Sequence, residues 1–504
     1  MSDERRNRRA APANDRPRGS RGSVDAHRGG QRGPARTVQP ARRVAYGVLR
    51  AVSETDAYAN LVLPSAIAEA QLTPQDAALA TELTYGTLRR LGTYDAIIAA
   101  AADRSPGSID PAVLDALRLA VHQLLATRVA SHAAVNESVN LVATESGRGA
   151  SSFANAVLRR IARESGDEWQ ERIESSARSD DERLALRSAH PVWVIRALRR
   201  ALIAEGRGEE LEALLEADNA SPDVTLVALP GLAEPGEPRL PYAPTAFASA
   251  GGDPRHVVEA SGGTVRVQDE GSQLVALALA GAAPITAGER WLDLCAGPGG
   301  KTALLAAVAR EHDVTLEANE VVPVRARLVR KALRAVPGEI VVHEQDGRTL
   351  AASRPGEFDR ILVDAPCTGL GALRRRPEAR WRKSPADVAE LVPLQVELLS
   401  AALDALAPGG IVAYVTCSPH LAETTGVVKE VLRDRADVRE LDARAVIADV
   451  AMAPIDLAED GRVGSGSAGS GSAQLWPHRH GTDAMFLALL QRSSIDDTSP
   501  GKED

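Results

Sequence analysis

The sequence predicts a multidomain chain. An all-helical N-terminal domain precedes an α/β domain built on a doubly wound, mostly parallel sheet, with a small α+β subdomain between them. Three observations carry this reading. Apolar residues recur at helical spacing from Ala41 to about Arg163. From Gly263 onward, apolar strand-like runs alternate regularly with helical stretches. The three cysteines of this 504-residue chain all stand where predicted strands end, and in open α/β sheets that edge is where ligands bind.

Residues 1–40 hold ten arginines against four acids and almost no large apolar side chains. Such a segment buries too little surface to offset chain entropy, so it is expected to be a disordered arm. It serves either as a solubilising tail or as a basic arm tracking RNA phosphates. The helical domain is expected over 41–165. Its signals are Val44, Val48, Leu49 and Val52, then Leu79, Leu83, Leu88 and Leu91, then the stripe from Val113 to Leu125. Asp110-Pro111 opens that third helix with proline in a tolerated first-turn position.

Residues 166–262 read as connecting helices around Trp193 and Leu211–Leu215, a Pro/Gly-rich stretch from Pro230 to Pro254, and a β signal at Val224–Leu229. The α/β domain is assigned to 263–492, with strands expected at 290–294, 314–319, 340–344, 358–363 and 410–416 and helices at 323–335 and 386–406. Gly464–Ala473 reads as a flexible loop, Met485–Leu490 as the last strand, and 493–504 as a disordered tail.

Composition excludes several classes. The formal net charge is −9, which argues against a protein that coats nucleic acid indiscriminately. No run of about 18 apolar residues exists for a membrane span, and the Arg-rich start lacks the apolar core of a secretory signal. Three cysteines do not make a disulfide framework, so reduced thiols and a cytoplasmic location are expected. No cysteine or histidine cluster has zinc spacing, so no metal is expected, and His478 and His480 read as hydrogen-bonding or surface residues.

The run Asp293-Leu-Cys295-Ala296-Gly297-Pro298-Gly299-Gly300-Lys301-Thr302 is a glycine-rich turn after a strand. A P-loop would need glycine where Cys295 stands, and a dinucleotide fingerprint would need glycine at Thr302. What remains is an acid at a strand end, a tight turn, and a second carboxylate, Glu320, ending the next strand, suited to ribose hydroxyls. With no phosphate to cradle, S-adenosylmethionine is the expected cofactor. Asp346 and Asp364 end the next two strands, and Asp346 is in reach of an adenine amino group on this reading.

Cys367 ends Ile-Leu-Val-Asp-Ala-Pro-Cys and Cys417 ends Ile-Val-Ala-Tyr-Val-Thr-Cys. Two thiols beside a methyl-donor pocket fit a reaction at pyrimidine C5, a poor nucleophile. A thiolate added at C6 creates an enamine that attacks the methyl group. The C5 proton must then leave before the thiol is eliminated, and a second thiol can assist. Asp364 is placed to interact with N3 of the ring.

Asp-Leu-Cys-Ala-Gly-Pro-Gly-Gly-Lys-Thr, Asp-Ala-Pro-Cys-Thr-Gly-Leu-Gly and Tyr-Val-Thr-Cys-Ser-Pro together resemble the RNA 5-methylcytosine methyltransferases, and Val267–Gln273 and Arg375–Trp381 look like further family segments. The resemblance implies a Rossmann-like methyltransferase domain with Cys417 as nucleophile and Cys367 promoting product release. It also implies donor binding by Cys295, Ala296, Gly297, Pro298, Gly299, Gly300 and Lys301, and by Glu320, Asp346 and Asp364. Two positions depart from the family pattern: Glu320 replaces a more usual Asp, and Gly297 a frequent Ala.

Ser131–Ser138 and Phe153–Ile161 make the helical domain similar to the antitermination factor NusB. The fusion resembles the RsmB-type 16S ribosomal RNA methyltransferases, which implies an RNA partner, 16S rRNA, and a monomer with no membrane contact. Arg159, Arg160 and especially Arg374, Arg375 and Arg376 are candidate RNA contacts. The rival readings are the same chemistry on transfer RNA and a non-catalytic RNA-binding or antitermination protein.

Overall fold

The computed structural model describes residues 38–55, 57–457 and 471–494. Most of the expected N-terminal arm, most of the Gly/Ser loop and most of the C-terminal tail lie outside them. Where those segments enter the described residues they are held. Val38 is buried, Pro40 begins a helix, and the Ser493 amide donates to Asp437 O at 2.8 Å.

The first part is helical throughout: Pro40–Glu54, Ala59–Glu69, Pro74–Arg89, Leu91–Ala102, Pro111–Ala126 and Ser131–Ile161. Asp110 caps the fifth of these as the sequence suggests, accepting from the amides of Ala112 and Val113 at 3.0 and 3.2 Å. Gly147, at φ 86°, breaks Ser131–Ile161 into two helical halves. The apolar faces converge on one core that includes Val48, Leu49, Leu83, Leu88, Leu117 and Leu158.

Four helices connect onward: Gly166–Ser175, Asp180–Ser188, Val192–Ala204 and Leu211–Asn219. A small antiparallel sheet follows, in the order β2 (Ala246–Ala248), β1 (Thr225–Ala228), β3 (Val265–Val267). Strand β3 lies past residue 262, so the small sheet reaches into the segment that the sequence assigns to the α/β domain.

The large sheet contains β4 (Arg290–Asp293), β5 (Thr315–Asn319), β6 (Val342–His343), β7 (Phe358–Asp364), β8 (Leu406–Thr416), β9 (Val438–Leu441), β10 (Ala473–Gln474) and β11 (Phe486–Arg492). Its order is β10-β11-β8-β7-β4-β5-β6, with β9 also on β11. Strands β4 to β8 are parallel, and β11 runs antiparallel to β8.

Side chains along the central strands alternate between two cores, as strand geometry requires. Trp291, Leu362, Ile411 and Ala413 face the helices Glu270–Gly281 and Gly300–Glu311. Leu292, Ile361, Val363, Val412 and Tyr414 face Pro385–Ala405 and Thr425–Leu432. Both faces are buried, which is why these strands read as near-continuous apolar runs.

From β4 the chain moves outward through β5 and β6, then returns to lay β7 on the other side of β4. The C-terminal ends of β4 and β7 therefore flank a topological switch point, the place where such sheets bind ligands.

The segment after the Pro-Cys motif joins the two halves. The Ala59 amide donates to Glu378 Oε1 at 2.9 Å, and Arg382 donates to the carbonyls of Val52, Thr55 and Ala57. The Tyr58 ring lies 5.2 Å from the Arg376 guanidinium and 5.3 Å from that of Arg382. Arg374 and Arg375 both bond Asp269 and Asp483, at 2.6–3.0 Å. The expectation that Arg374 and Arg375 face RNA is therefore corrected: the buried acids Asp269 and Asp483 engage both, whereas Arg376 stays exposed with its guanidinium beside the Tyr58 ring. Arg160 is exposed at the surface, donating to Ala101 O and Asp103.

Candidate active site

The turn after β4 is built by close backbone approach. Gly299 takes φ 104° and caps the helix Gly300–Glu311. A Cβ there would press on Val329 Cα at 2.9 Å and Ala332 Cβ at 2.8 Å, so only glycine admits this contact with the helix Pro323–Leu333. The Ala296 amide donates to Asn319 O at 2.8 Å, and Asn319 Nδ2 donates to Leu294 O at 3.1 Å. The turn is thereby locked to the end of β5.

Glu320, next along, is buried. Its carboxylate accepts from the amides of Gly297 at 3.1 Å and Val322 at 2.9 Å. Arg325 bridges to Gly297 O at 2.6 Å. Asp293 accepts from Thr302 Oγ1 at 2.7 Å, and burial pushes its carboxyl up to about 7. Asp346 caps the short helix Gly347–Ala352 through the Arg348 amide at 2.9 Å and pairs with the Arg348 guanidinium. It stays 39% exposed, so its carboxylate remains open to solvent at the same sheet edge.

Asp364, at the end of β7, pairs with Lys301 Nζ at 2.8 Å. The glycine turn and the end of β7 are thus joined across the switch point by an ion pair. Burial disfavours the charged Lys301, but Asp364 outweighs it and the amine is held above its ordinary range.

Cys367 and Cys417 lie beyond adjacent parallel strands, and their sulfurs are 3.5 Å apart. Both are half-buried free thiols. The hydrogen bond with Cys367 holds Cys417 below the ordinary thiol range, against burial and Asp364, with help from Arg376 and Lys301. The same contact, with burial, pushes Cys367 well up. Cys295 differs: burial and the surrounding Asp293, Asp364 and Glu320 push its thiol up, and it packs against the core around Leu292 and Leu294. Of the three sulfurs, Cys417 is the one whose surroundings favour the charged form.

The structure gathers the turn from Cys295 to Lys301, Glu320, Asp364, Cys367 and Cys417 on one edge, with Asp346 at its rim. Sequence reasoning missed four buried groups beneath the cysteines: Glu423, Thr368, Ser418 and Gln395. Thr368 and Ser418 directly follow the cysteines, which is a local signal. Glu423 and Gln395 come from elsewhere in the chain and carry none. His478 and His480 are hydrogen-bonded, to Glu210 at 2.7 Å and Asp456 O at 2.9 Å.

A family model for the 16S rRNA methyltransferases RsmB/F matches residues 282–491, and the NusB family matches 39–163. A ribosomal RNA small subunit methyltransferase B of Pseudomonas putida is 33% identical over 419 residues, covering 80% of this chain and 91% of its own. The chain belongs to the RsmB/F family.

Members of this family are S-adenosylmethionine-dependent RNA methyltransferases, and this chain is one. A Mycobacterium tuberculosis protein, named no further than methyltransferase, is 50% identical over 471 residues, covering 92% of this chain and 98% of its own. Among solved structures, PH0851 superposes with a TM-score of 0.73 at 21% identity, covering 90% of this chain and 99% of that one, and shares the fold. The helical N-terminal part and the mixed-sheet methyltransferase part expected from the sequence are both present.

Proposed function

We propose that this chain methylates C5 of a cytosine in 16S ribosomal RNA, with Cys417 as nucleophile and Cys367 as the thiol that promotes release. The observation that carries this is the 3.5 Å separation of the two sulfurs, beside the Lys301–Asp364 pair and the glycine turn. A single nucleophile needs no second thiol in contact, whereas an addition–elimination sequence uses two in turn.

The Cys417 thiolate adds to C6 of the ring, and the electron pair moves to C5. The cofactor supplies an electrophilic methyl group, which C5 takes. The C5 proton then leaves to a base, the C5–C6 double bond re-forms, and the S–C6 bond breaks to return Cys417 as thiolate. Cys367, whose thiol is protonated in the resting pair, must first release that proton to solvent; as thiolate it then takes the C5 proton. Asp364, paired with Lys301, orients the ring by accepting from N3–H once N3 has taken up a proton. The target base must leave its stack to reach either sulfur.

The donor set fits the cofactor. Glu320 offers a carboxylate to ribose hydroxyls, the tight turn from Cys295 to Lys301 brings its backbone to the same edge, and Asp346 stands at the rim for an amino group. Two adjacent reduced thiols would oxidise outside a reducing compartment, which supports a cytoplasmic enzyme. Among the described residues, no helix is long and apolar enough to cross a membrane.

The test is methyl transfer to naked 16S RNA, to 30S particles and to transfer RNA, with the product mapped by bisulfite sequencing. The proposal expects 5-methylcytosine in 16S RNA. Product confined to transfer RNA would move the substrate, and none on any RNA would refute the enzymatic reading.

A further inference from the structure

Six residues beyond Cys417, Glu423 is completely buried. It ends a short turn, Leu421–Glu423, just before the helix Thr425–Leu432. Its Oε1 accepts from the Thr368 amide at 2.8 Å and from Gln395 Nε2 at 3.3 Å. Its Oε2 accepts from Ser418 Oγ at 2.7 Å and from the Thr368 hydroxyl. Thr368 follows Cys367 and Ser418 follows Cys417, so one carboxylate holds the residue next to each thiol.

The surroundings reinforce the tie. Thr368 Oγ1 and Ser418 Oγ lie 3.2 Å apart, Gln395 Nε2 also donates to Pro366 O at 2.8 Å, and the Tyr414 hydroxyl donates to Glu423 O at 2.8 Å. Every group facing the carboxylate has a proton to give, which matches an ionised carboxylate that only accepts.

Such a tie has work to do here. The β7–β8 pairing ends at Asp364 with Val415, so Cys367 and Cys417 both lie past the ladder. Beyond it, strand pairing no longer fixes the distance between the two segments, and the Gly371 amide to Cys417 O at 2.8 Å ties backbone only, yet two sulfurs acting in turn on one carbon pair must stay within an ångström or so of their working separation.

We infer that Glu423 is a positioning residue that sets the separation of the two thiols by holding Thr368 and Ser418 on a single carboxylate. The inference rests on the two-thiol reading above and assigns to that site a residue that touches neither substrate nor cofactor. It also divides the carboxylate's work: the Ser418 bond steadies the bond-forming thiol, and the Thr368 bonds steady the releasing one.

The experiment uses the full chain with 16S RNA and S-adenosylmethionine. Glu423→Ala should lower kcat by about 100-fold while KM for the cofactor moves less than about threefold, because the donor pocket keeps its own contacts. Glu423→Gln should recover most of that loss, since both hydroxyls can turn to accept from the new amide while Oε1 still serves the Thr368 amide. A merely structural side chain would change the melting temperature and the active fraction but not kcat per active site.

If Glu423→Ala does not fold, the single arms decide. Ser418→Ala should slow formation of the covalent RNA adduct by about fivefold, and Thr368→Val should prolong its lifetime by a similar factor. Cys367→Ala runs alongside. If it traps an adduct while Ser418→Ala and Thr368→Val both form and release adduct as the parent does, the positioning role of Glu423 is overturned and the two-thiol reading stands. If Cys367→Ala traps nothing and turns over normally, the two-thiol reading falls and takes this inference with it.

Discussion

The amide of Gly297 donates to the Glu320 carboxylate at 3.1 Å, and a methyl group on residue 297 would overlap that same carboxylate. The two departures from the family pattern, glycine where alanine is frequent and glutamate where aspartate is usual, are thus one departure. The longer acid reaches into the room that the missing methyl leaves.

Gly297→Ala alone should therefore push Glu320 out of place and weaken S-adenosylmethionine binding by at least about tenfold. Adding Glu320→Asp should restore most of the affinity, because the shorter side chain vacates the space. Calorimetric titration of the two single variants and the double variant measures this coupling. Additive losses would show that the two positions do not share one space.

The segment Arg376–Arg382 holds the helical part against the methyltransferase part. Arg382→Ala removes bonds to three carbonyls, and Gly92→Val would drive a side chain into the Trp381 ring, which a Cβ on Gly92 already overlaps. Each should destabilise the junction by about 2 kcal/mol. Differential scanning calorimetry should then show melting that separates into two transitions, where the parent melts with the halves coupled. Methylation of large RNA should fall more than cofactor binding, since the glycine turn is untouched.

The acid–base prediction concerns the thiol that starts the reaction. Cys417 is held below the ordinary thiol value, first by the Cys367 hydrogen bond and further by Arg376 and Lys301. Only the thiolate adds to C6, so adduct formation should rise with pH and reach its plateau below the usual thiol range of about 8.5. Arg376→Gln removes a positive charge that favours the thiolate, so it should move the rising limb to higher pH while leaving the plateau rate nearly intact. Stopped-time measurements of adduct between about pH 6 and 9 read the shift. A limb that does not move would mean that Arg376 acts only through its stacking on Tyr58.

Much of the fold was legible because burial writes itself into periodicity. The strands that face two apolar layers, β4, β7 and β8, gave continuous apolar runs, and Asp110-Pro111 marked a helix start by cap chemistry alone. Strand β3 was not legible, because three residues, Val265–Val267, carry too short a pattern to mark a strand. The site was legible where chemistry demands rare residues at strand ends: three cysteines, a glycine turn and terminal acids. It was illegible where function depends on distant partners. Nothing local distinguishes an arginine that meets RNA from Arg374, which meets Asp269 and Asp483 more than a hundred residues away. Glu423 looked like any helix-flanking acid until its donors were in place.

The order in which the two thiols work is the central claim, and one gel tests it most directly. Cys367→Ala enzyme is incubated with labelled 16S RNA and S-adenosylmethionine and run under denaturing conditions, beside Cys417→Ala and the double variant. The account predicts a retarded protein–RNA band that accumulates in Cys367→Ala and is absent from both lanes lacking Cys417. A band that persists without Cys417, or a Cys367→Ala enzyme that turns over normally and traps nothing, would contradict it.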